Sequence, residues 1–150
     1  MTTTVRQILD SKKKNQIISV SPDDVVLEAL TKMASSDVSA VLVLENERLV
    51  GIFTERDYAR KLVLQGRASK DTRIGDLMTQ NLLTISPSQT VDDVMNLMTE
   101  NRFRHLPVVD RGQLIGIVTI GDAVKAVIDE QKQTINQLAG YISGDLAPGQ

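Results

Sequence analysis

The chain contains no cysteine, which rules out a disulfide frame, a thiolate nucleophile and a cysteine-held zinc. Any redox role would therefore run through the thiols of a partner. The absence is compatible with a reducing compartment. Aromatic residues are only 3% of the 150, so a core must be built from Val, Ile, Leu and Met. No stretch reaches the roughly 18 unbroken apolar residues of a membrane span. The opening MTTTVRQILDSKKK also lacks the apolar segment of a secretory signal. A cytoplasmic location is expected, with mature organellar material as the alternative. An excess of one charge is missing as well. The formal net charge is −2, and no basic face interleaves with aromatics, so nucleic acid is not an expected partner.

Catalytic signatures are equally scarce. His105 is the single histidine. The chain has no Gly-x-Ser-x-Gly, no His-Glu-x-x-His and no Gly-x-x-x-x-Gly-Lys-Ser/Thr. Asp57 and Asp122 could in principle share acid–base work, but nothing in the spacing brings them together. Neither an enzyme nor a metal site is expected.

What the chain does contain is a repetition. Shifted by 65 residues, Ser21–Asp57 aligns without a gap on Ser86–Asp122. The two segments share the Ser-Pro turns at Ser21 and Ser86, the core positions Val26/Val91, Met33/Met98 and Val43/Val108, and the endings GIFTERD and GIVTIGD. Two copies with so long a period suggest a pseudosymmetric pair and not a solenoid. Each copy reads β-α-β-β-α. A short strand (Gln16–Val20, Leu82–Ile85) meets Ser-Pro, a helix N-cap and first turn. A helix with apolar residues at helical spacing follows, then two strands around the polar turns Glu45–Arg48 and Asp110–Gln113. A second helix, Arg56–Leu64 or Asp122–Lys132, closes each copy.

The fold class expected is α+β, with repeat 1 over residues 4–70, repeat 2 over 71–132, and a C-terminal amphipathic stretch and loose tail over 133–150. Neither copy has enough strands to cover both faces of its sheet, so one shared core is expected. Val5–Leu9 and Ile74–Met78 read as matching lead-in turns. Lys12–Lys14 reads as a solvated charge run, with contact to a phosphate as the alternative. Gly51 and Gly116, inside strands, read either as close approach of a backbone or a ligand or as simple tight packing between the two copies. Tyr58 and Arg60 either line a shared cleft or face solvent.

Thr54 and Asp57, like Thr119 and Asp122, stand where a buried strand ends and a helix begins. They can cap the helix by accepting bonds from its orphan amides. Caps are the commoner use of such residues; the sharper reading is a ligand cleft, the carboxylate taking both hydroxyls of a ribose and the threonine meeting a phosphate. His105 is open to two readings in the same way, as a packing residue or as a ligand contact beside Arg104.

The duplicated order, each copy opened by Ser-Pro and closed by Gly-h-h-Thr-x-x-Asp (h for an apolar residue), resembles a tandem CBS-domain pair, or Bateman module. RHLPVVD, from Arg104 to Asp110, is similar to the His-x-x-Pro-Val segment of that family. The resemblance runs from about Thr4 to Asp129, and GIFTERDYARKLVLQGRASKDTRIGDLMT is similar to stand-alone CBS-pair proteins.

The resemblance implies a regulatory module for adenosine-containing ligands (AMP, ADP, ATP, NAD or S-adenosylmethionine) with no required cofactor. It implies that Asp122 holds a ribose and Thr119 lies by the ribose and phosphates. Thr84 and Ile85 frame the base from one side, Leu106 and Pro107 from the other, and Arg104 and His105 reach phosphates. In copy one Thr54 and Asp57 take the motif roles. Ser19 replaces Thr84, Ser39, Ala40 and Leu42 form an uncharged wall, and Arg56 stands where copy two has Gly121. Copy two is therefore expected to be the better nucleotide site. The resemblance also implies a homodimer through helices, served by Val63, Val127 and Ile128, and an unidentified regulated protein. A ligand-free scaffold whose threonines and aspartates only cap is the alternative.

Overall fold

The structure, a computed structural model, describes residues 2–12 and 17–143. Gln16, Lys13, Lys14 and the tail after Ser143, all named in the sequence reading, lie outside the described residues. In copy one, β1 (Ser19–Val20) runs parallel to β2 (Ala40–Glu45), which pairs antiparallel with β3 (Arg48–Thr54). Copy two builds the same hairpin from β4 (His105–Asp110) and β5 (Gln113–Thr119). The repeat survives in the register. Val43 faces Gly51 as Val108 faces Gly116, and each ladder slips immediately after that pair. Both hairpins turn through two residues of positive φ, Asn46–Glu47 and Arg111–Gly112, the backbone that matches the twist of the flanking strands.

Copy two departs from the expected opening strand. Leu82–Ile85 forms only one parallel bridge, Ile85 to Val108, where the Ile85 N–H donates to the Pro107 carbonyl at 3.0 Å. The chain just before it is engaged elsewhere. Thr79 is bridged to Ile52 of β3, so residues 80–84 serve as a crossing between the two sheets.

The long helices of the two copies are α2 (Val26–Ser36) and α5 (Val91–Asn101). They bury Val26, Ala29 and Met33, and Val91, Val94 and Met98, at the helical spacing of the sequence. The Ser-Pro pairs do not cap them. Thr90 caps α5 reciprocally with Asp93, and α2 starts after Val25, which makes no side-chain cap. Ser21 and Pro22 instead form the turn before the helix, and the Pro22 carbonyl accepts the Gly75 N–H at 2.8 Å.

That bond belongs to an exchange. The lead-in segments are the helices α1 (Val5–Ser11) and α4 (Ile74–Leu77), and each packs on the other copy. Ile74 and Leu77 join the core of copy one with Val20, Val43 and Phe53. Val5, Ile8 and Leu9 join the core of copy two with Ile85, Leu106 and Val118. The Arg6 N–H donates to the Pro87 carbonyl at 3.0 Å, the counterpart of Gly75 on Pro22. The single core expected is therefore corrected to two cores, each closed by the lead-in helix of the other copy. A smaller seam of Ala40, Leu42 and Ile52 with Leu114 and Ile117 joins the sheets.

The closing helices differ between copies. Copy one has a short helix, α3 (Glu55–Asp57), that runs into a π-helical segment, Tyr58–Val63. Copy two has α6 (Ile120–Ser143), one unbroken helix of 24 residues. The break expected near Lys132 does not occur, since no proline or glycine stops the helix in EQKQTI.

Candidate functional site

Thr54 ends β3 in extended backbone, and its hydroxyl accepts the Asp57 N–H at 3.1 Å. Asp57 returns the bond, Oδ2 accepting the Thr54 N–H at 3.0 Å and the Thr54 hydroxyl at 3.2 Å. Its second oxygen, Oδ1, accepts the Thr79 hydroxyl at 3.0 Å and lies 3.0 Å from Lys61 Nζ. Lys61 also donates to the Leu77 carbonyl at 3.0 Å. Asp57 is buried, and four donors satisfy it, as a buried carboxylate requires.

The second motif repeats the cap. Thr119 N–H donates to Asp122 Oδ2 at 2.9 Å, and Asp122 N–H to the Thr119 hydroxyl at 3.2 Å. Here the cation is Lys12, whose Nζ lies 2.9 Å from Asp122 Oδ2 and donates to the Ile117 carbonyl at 2.8 Å. Lys12 is thus drawn into the fold instead of standing in a solvated run. Both bonds to Asp122 fall on Oδ2, and its side chain is more open than that of Asp57 (21% against 9% exposed).

Two clefts lie beside these motifs, and each takes its motif from one copy and its opposite wall from the other. The first, about 480 Å³, joins Ile52, Thr54, Arg56, Asp57, Arg60 and Lys61 of copy one to the crossing residues Thr79, Asn81, Leu82 and Leu83. Its far wall is Asn101–His105 of copy two. The second, about 360 Å³, sets Ile117, Thr119, Ile120 and Gly121 against Ile18, Asp37–Ala40 and Leu42 of copy one. Arg104, His105 and Lys12 also reach it.

The grouping expected from the sequence is extended: Arg104 and His105 lie with Thr119 at the second cleft and also reach the copy-one motif across the first. His105 stands opposite Thr119 in the β4–β5 ladder. Thr119 meets Ser39, Ala40 and Leu42 across the second cleft, and Arg56, Arg60 and Arg102 line the first alone. The better-charged cleft is accordingly that of Thr54 and Asp57. Asp122 opens onto an outer hollow between α1 and α6, with Lys12, Lys125 and Asp129. The Thr3 N–H bonds Glu130 across that hollow and holds the Glu130 carboxyl below its ordinary range. Ile85 and Leu106 are packed in the core of copy two, and Pro107 is buried opposite Ile117. Their side chains do not frame either cleft. Thr84 and Ser19 line neither cleft; the Ser19 carbonyl accepts a bond from Lys32.

His105 sits where the clefts meet, with its Nε2 3.0 Å from Ser39 Oγ. Burial lowers its pKa from the ordinary value, Arg104 and Lys12 lower it further, and Asp122 opposes them. The ring is held toward its neutral form. Among the remaining positions, Arg60 lines the first cleft, while Tyr58 packs against the core of copy one. Gly51 marks a backbone approach: a Cβ there would lie 2.6 Å from Met78 Sδ and 3.1 Å from the Thr79 carbonyl. Val127 is half-buried against the core of copy two, unlike the exposed Val63 and Ile128.

Several lining residues were not among those singled out in the sequence. Lys61 had a local signal, a lysine four residues after Asp57 on a helix. Leu82, Leu83, Arg102 and Phe103 had none, because they reach the motif of copy one only through the docking of the two copies. Among the described residues no helix is long and apolar enough to cross a membrane, and no group of acidic, histidine or cysteine side chains could hold a metal ion.

The CBS-domain family model matches residues 5–64 and 74–129. CBSX3, a mitochondrial CBS domain-containing protein of Arabidopsis thaliana, is 42% identical over 150 residues, covering 95% of this chain and 73% of its own length. The solved structure of a protein with CBS domains from Burkholderia ambifaria MC40-6 is 50% identical with a TM-score of 0.83, over 86% of this chain and 96% of that one. CBSX2 in complex with AMP is 31% identical with a TM-score of 0.68, over 86% of this chain and 98% of that one.

Proposed function

The chain belongs to the CBS-domain family, and from that premise we propose that it is a regulatory, non-catalytic module for an adenosine-containing ligand: AMP, ADP, ATP or NAD. The ligand occupies the first cleft. One observation carries this reading: a buried carboxylate, Asp57, lines a cleft that also holds the apolar residues Ile52, Leu82, Leu83 and Phe103 and several arginines. Apolar side chains suit the faces of a base, a carboxylate suits ribose hydroxyls, and guanidiniums suit phosphate. The structure of CBSX2 with AMP supports the choice of ligand class.

Asp57 has no idle oxygen, so a ribose binds by exchange. Its hydroxyls replace Thr79 and Lys61 on Oδ1, and the freed ammonium turns toward the phosphates. Thr79 is bridged to β3, and Lys61 holds the end of α4 through the Leu77 carbonyl. The exchange therefore loosens the crossing between copies, giving bound and free states that a partner protein can distinguish. A homodimer presents this change to the partner. The exposed Ile120, Val124 and Ile128, spaced by four along α6, form its apolar stripe with Val63.

Calorimetric titration with AMP, ATP, NAD and S-adenosylmethionine tests the reading. Binding that is abolished in Asp57→Ala, with circular dichroism unchanged, supports it. Binding untouched by both Asp57→Ala and Asp122→Ala overturns the site. The ligand-free scaffold remains a second reading on a specific observation, since both motif aspartates already have a lysine and a cap. No heat with any of the four ligands favours it.

A further inference from the structure

Given the adenosine reading, we infer that the first cleft selects a nucleoside polyphosphate over both a monophosphate and a cationic sulfonium nucleoside. Arg56 and Arg60 stand four residues apart where copy one leaves its motif, so both face the cleft. Arg102 and Arg104 enter from copy two, at the end of α5 and the start of β4. Arg102 is in left-handed backbone (φ 58°), the turn that carries the chain from helix to strand across from the motif. Among the described residues, none of these four guanidiniums is in an ion pair.

The carboxylate lining this cleft is Asp57, and Lys61 at 3.0 Å answers its charge. The remaining four arginines give the cleft a local charge of +4 on a chain whose net charge is −2. A monophosphate brings about two negative charges at neutral pH, and each added phosphate about one more, so four guanidiniums are matched only by a longer phosphate chain. A sulfonium carries the sign that the cleft already holds in excess. The second cleft does not compete for this ligand. It is smaller, it contains Asp37, and Lys12 is committed to Asp122, which leaves Arg104, shared with the first cleft, as the one unpaired guanidinium among the described residues that line it.

The test is magnesium-free calorimetry at low and at moderate salt with AMP, ADP, ATP and S-adenosylmethionine. Affinity is expected to rise about tenfold per added phosphate at low salt, with ATP losing more than AMP as salt screens the arginines. S-adenosylmethionine is expected to bind more weakly than AMP. Arg60→Gln, and Arg102→Asn with its tolerance of left-handed backbone, should each weaken ATP about tenfold and AMP less than threefold. Equal affinity for AMP and ATP, or S-adenosylmethionine binding as tightly as ATP, overturns this inference and leaves the adenosine reading standing. No binding by any of the four overturns both.

Discussion

His105 and Ser39 close on each other at 3.0 Å, Nε2 to Oγ, and so join the start of β4 to the residue before β2. The contact links the two copies at the place where both clefts meet. Because burial, Arg104 and Lys12 outweigh Asp122, the folded ring is a weaker base than the ring of the unfolded chain. Above about pH 7 both states carry a neutral ring and its titration costs nothing. Below about 6.5 the unfolded state takes up the proton first, and stability falls with pH until the folded ring protonates too. Urea midpoints at pH 5.0 and pH 7.5 should therefore show the native protein losing more on acidification than His105→Gln. A native protein that gains on acidification relative to the variant would falsify the assignment.

The crossing segment lies hard against β3. Gly51→Ala places a methyl on Met78 and the Thr79 carbonyl, an overpacking expected to cost about 1–3 kcal/mol. Gly112→Ala meets nothing within 4 Å, so only its positive φ of 79° is strained, at about 1 kcal/mol. Chemical denaturation of both variants checks the order, and a larger loss for Gly112→Ala would contradict the close approach.

The exchanged lead-in helices make a spatial prediction that runs against chain order. Ile8→Ala and Ile74→Ala each empty a buried site and should cost about 2–5 kcal/mol. In hydrogen exchange, Ile8→Ala should deprotect α5 and β4, far along the chain, before α2 and β2. Ile74→Ala should do the reverse. Deprotection that follows sequence proximity would mean the helices stay with their own copies.

The two motif aspartates should differ when their charge is removed. Asp57→Asn disturbs four bonds in a buried place and is expected to cost about 1–3 kcal/mol. Asp122→Asn disturbs fewer bonds at a more open site and should cost less than Asp57→Asn. Thermal melts of the pair decide this; equal losses would show that the Thr79 and Lys61 contacts contribute little.

The repeat, the order of elements and the reciprocal Thr-Asp caps could all be read from the chain, because each depends on neighbours within a few residues. Val26, Ala29 and Met33 announce a buried helix face by spacing alone, and Gly51 announced a close approach without naming what approaches. Alternation and caps are less able to indicate length. The opening strand of copy two shrank to Ile85 because the residues before it are spent crossing from Ile52, and no local pattern records that.

The wall that the other copy presents to each motif depends on docking. Thr54 and Arg102 are separated by 48 positions and belong to different copies. They share a cleft because α1 and α4 trade cores, bringing the inner faces of the two sheets together at Ala40, Leu42, Ile52 and Ile117. Short-range hydrogen bonding and side-chain periodicity determine helices, strands and caps along the chain. That four arginines and Asp57 line one cleft depends on how two packed surfaces fit, and that is a property of the assembled volume.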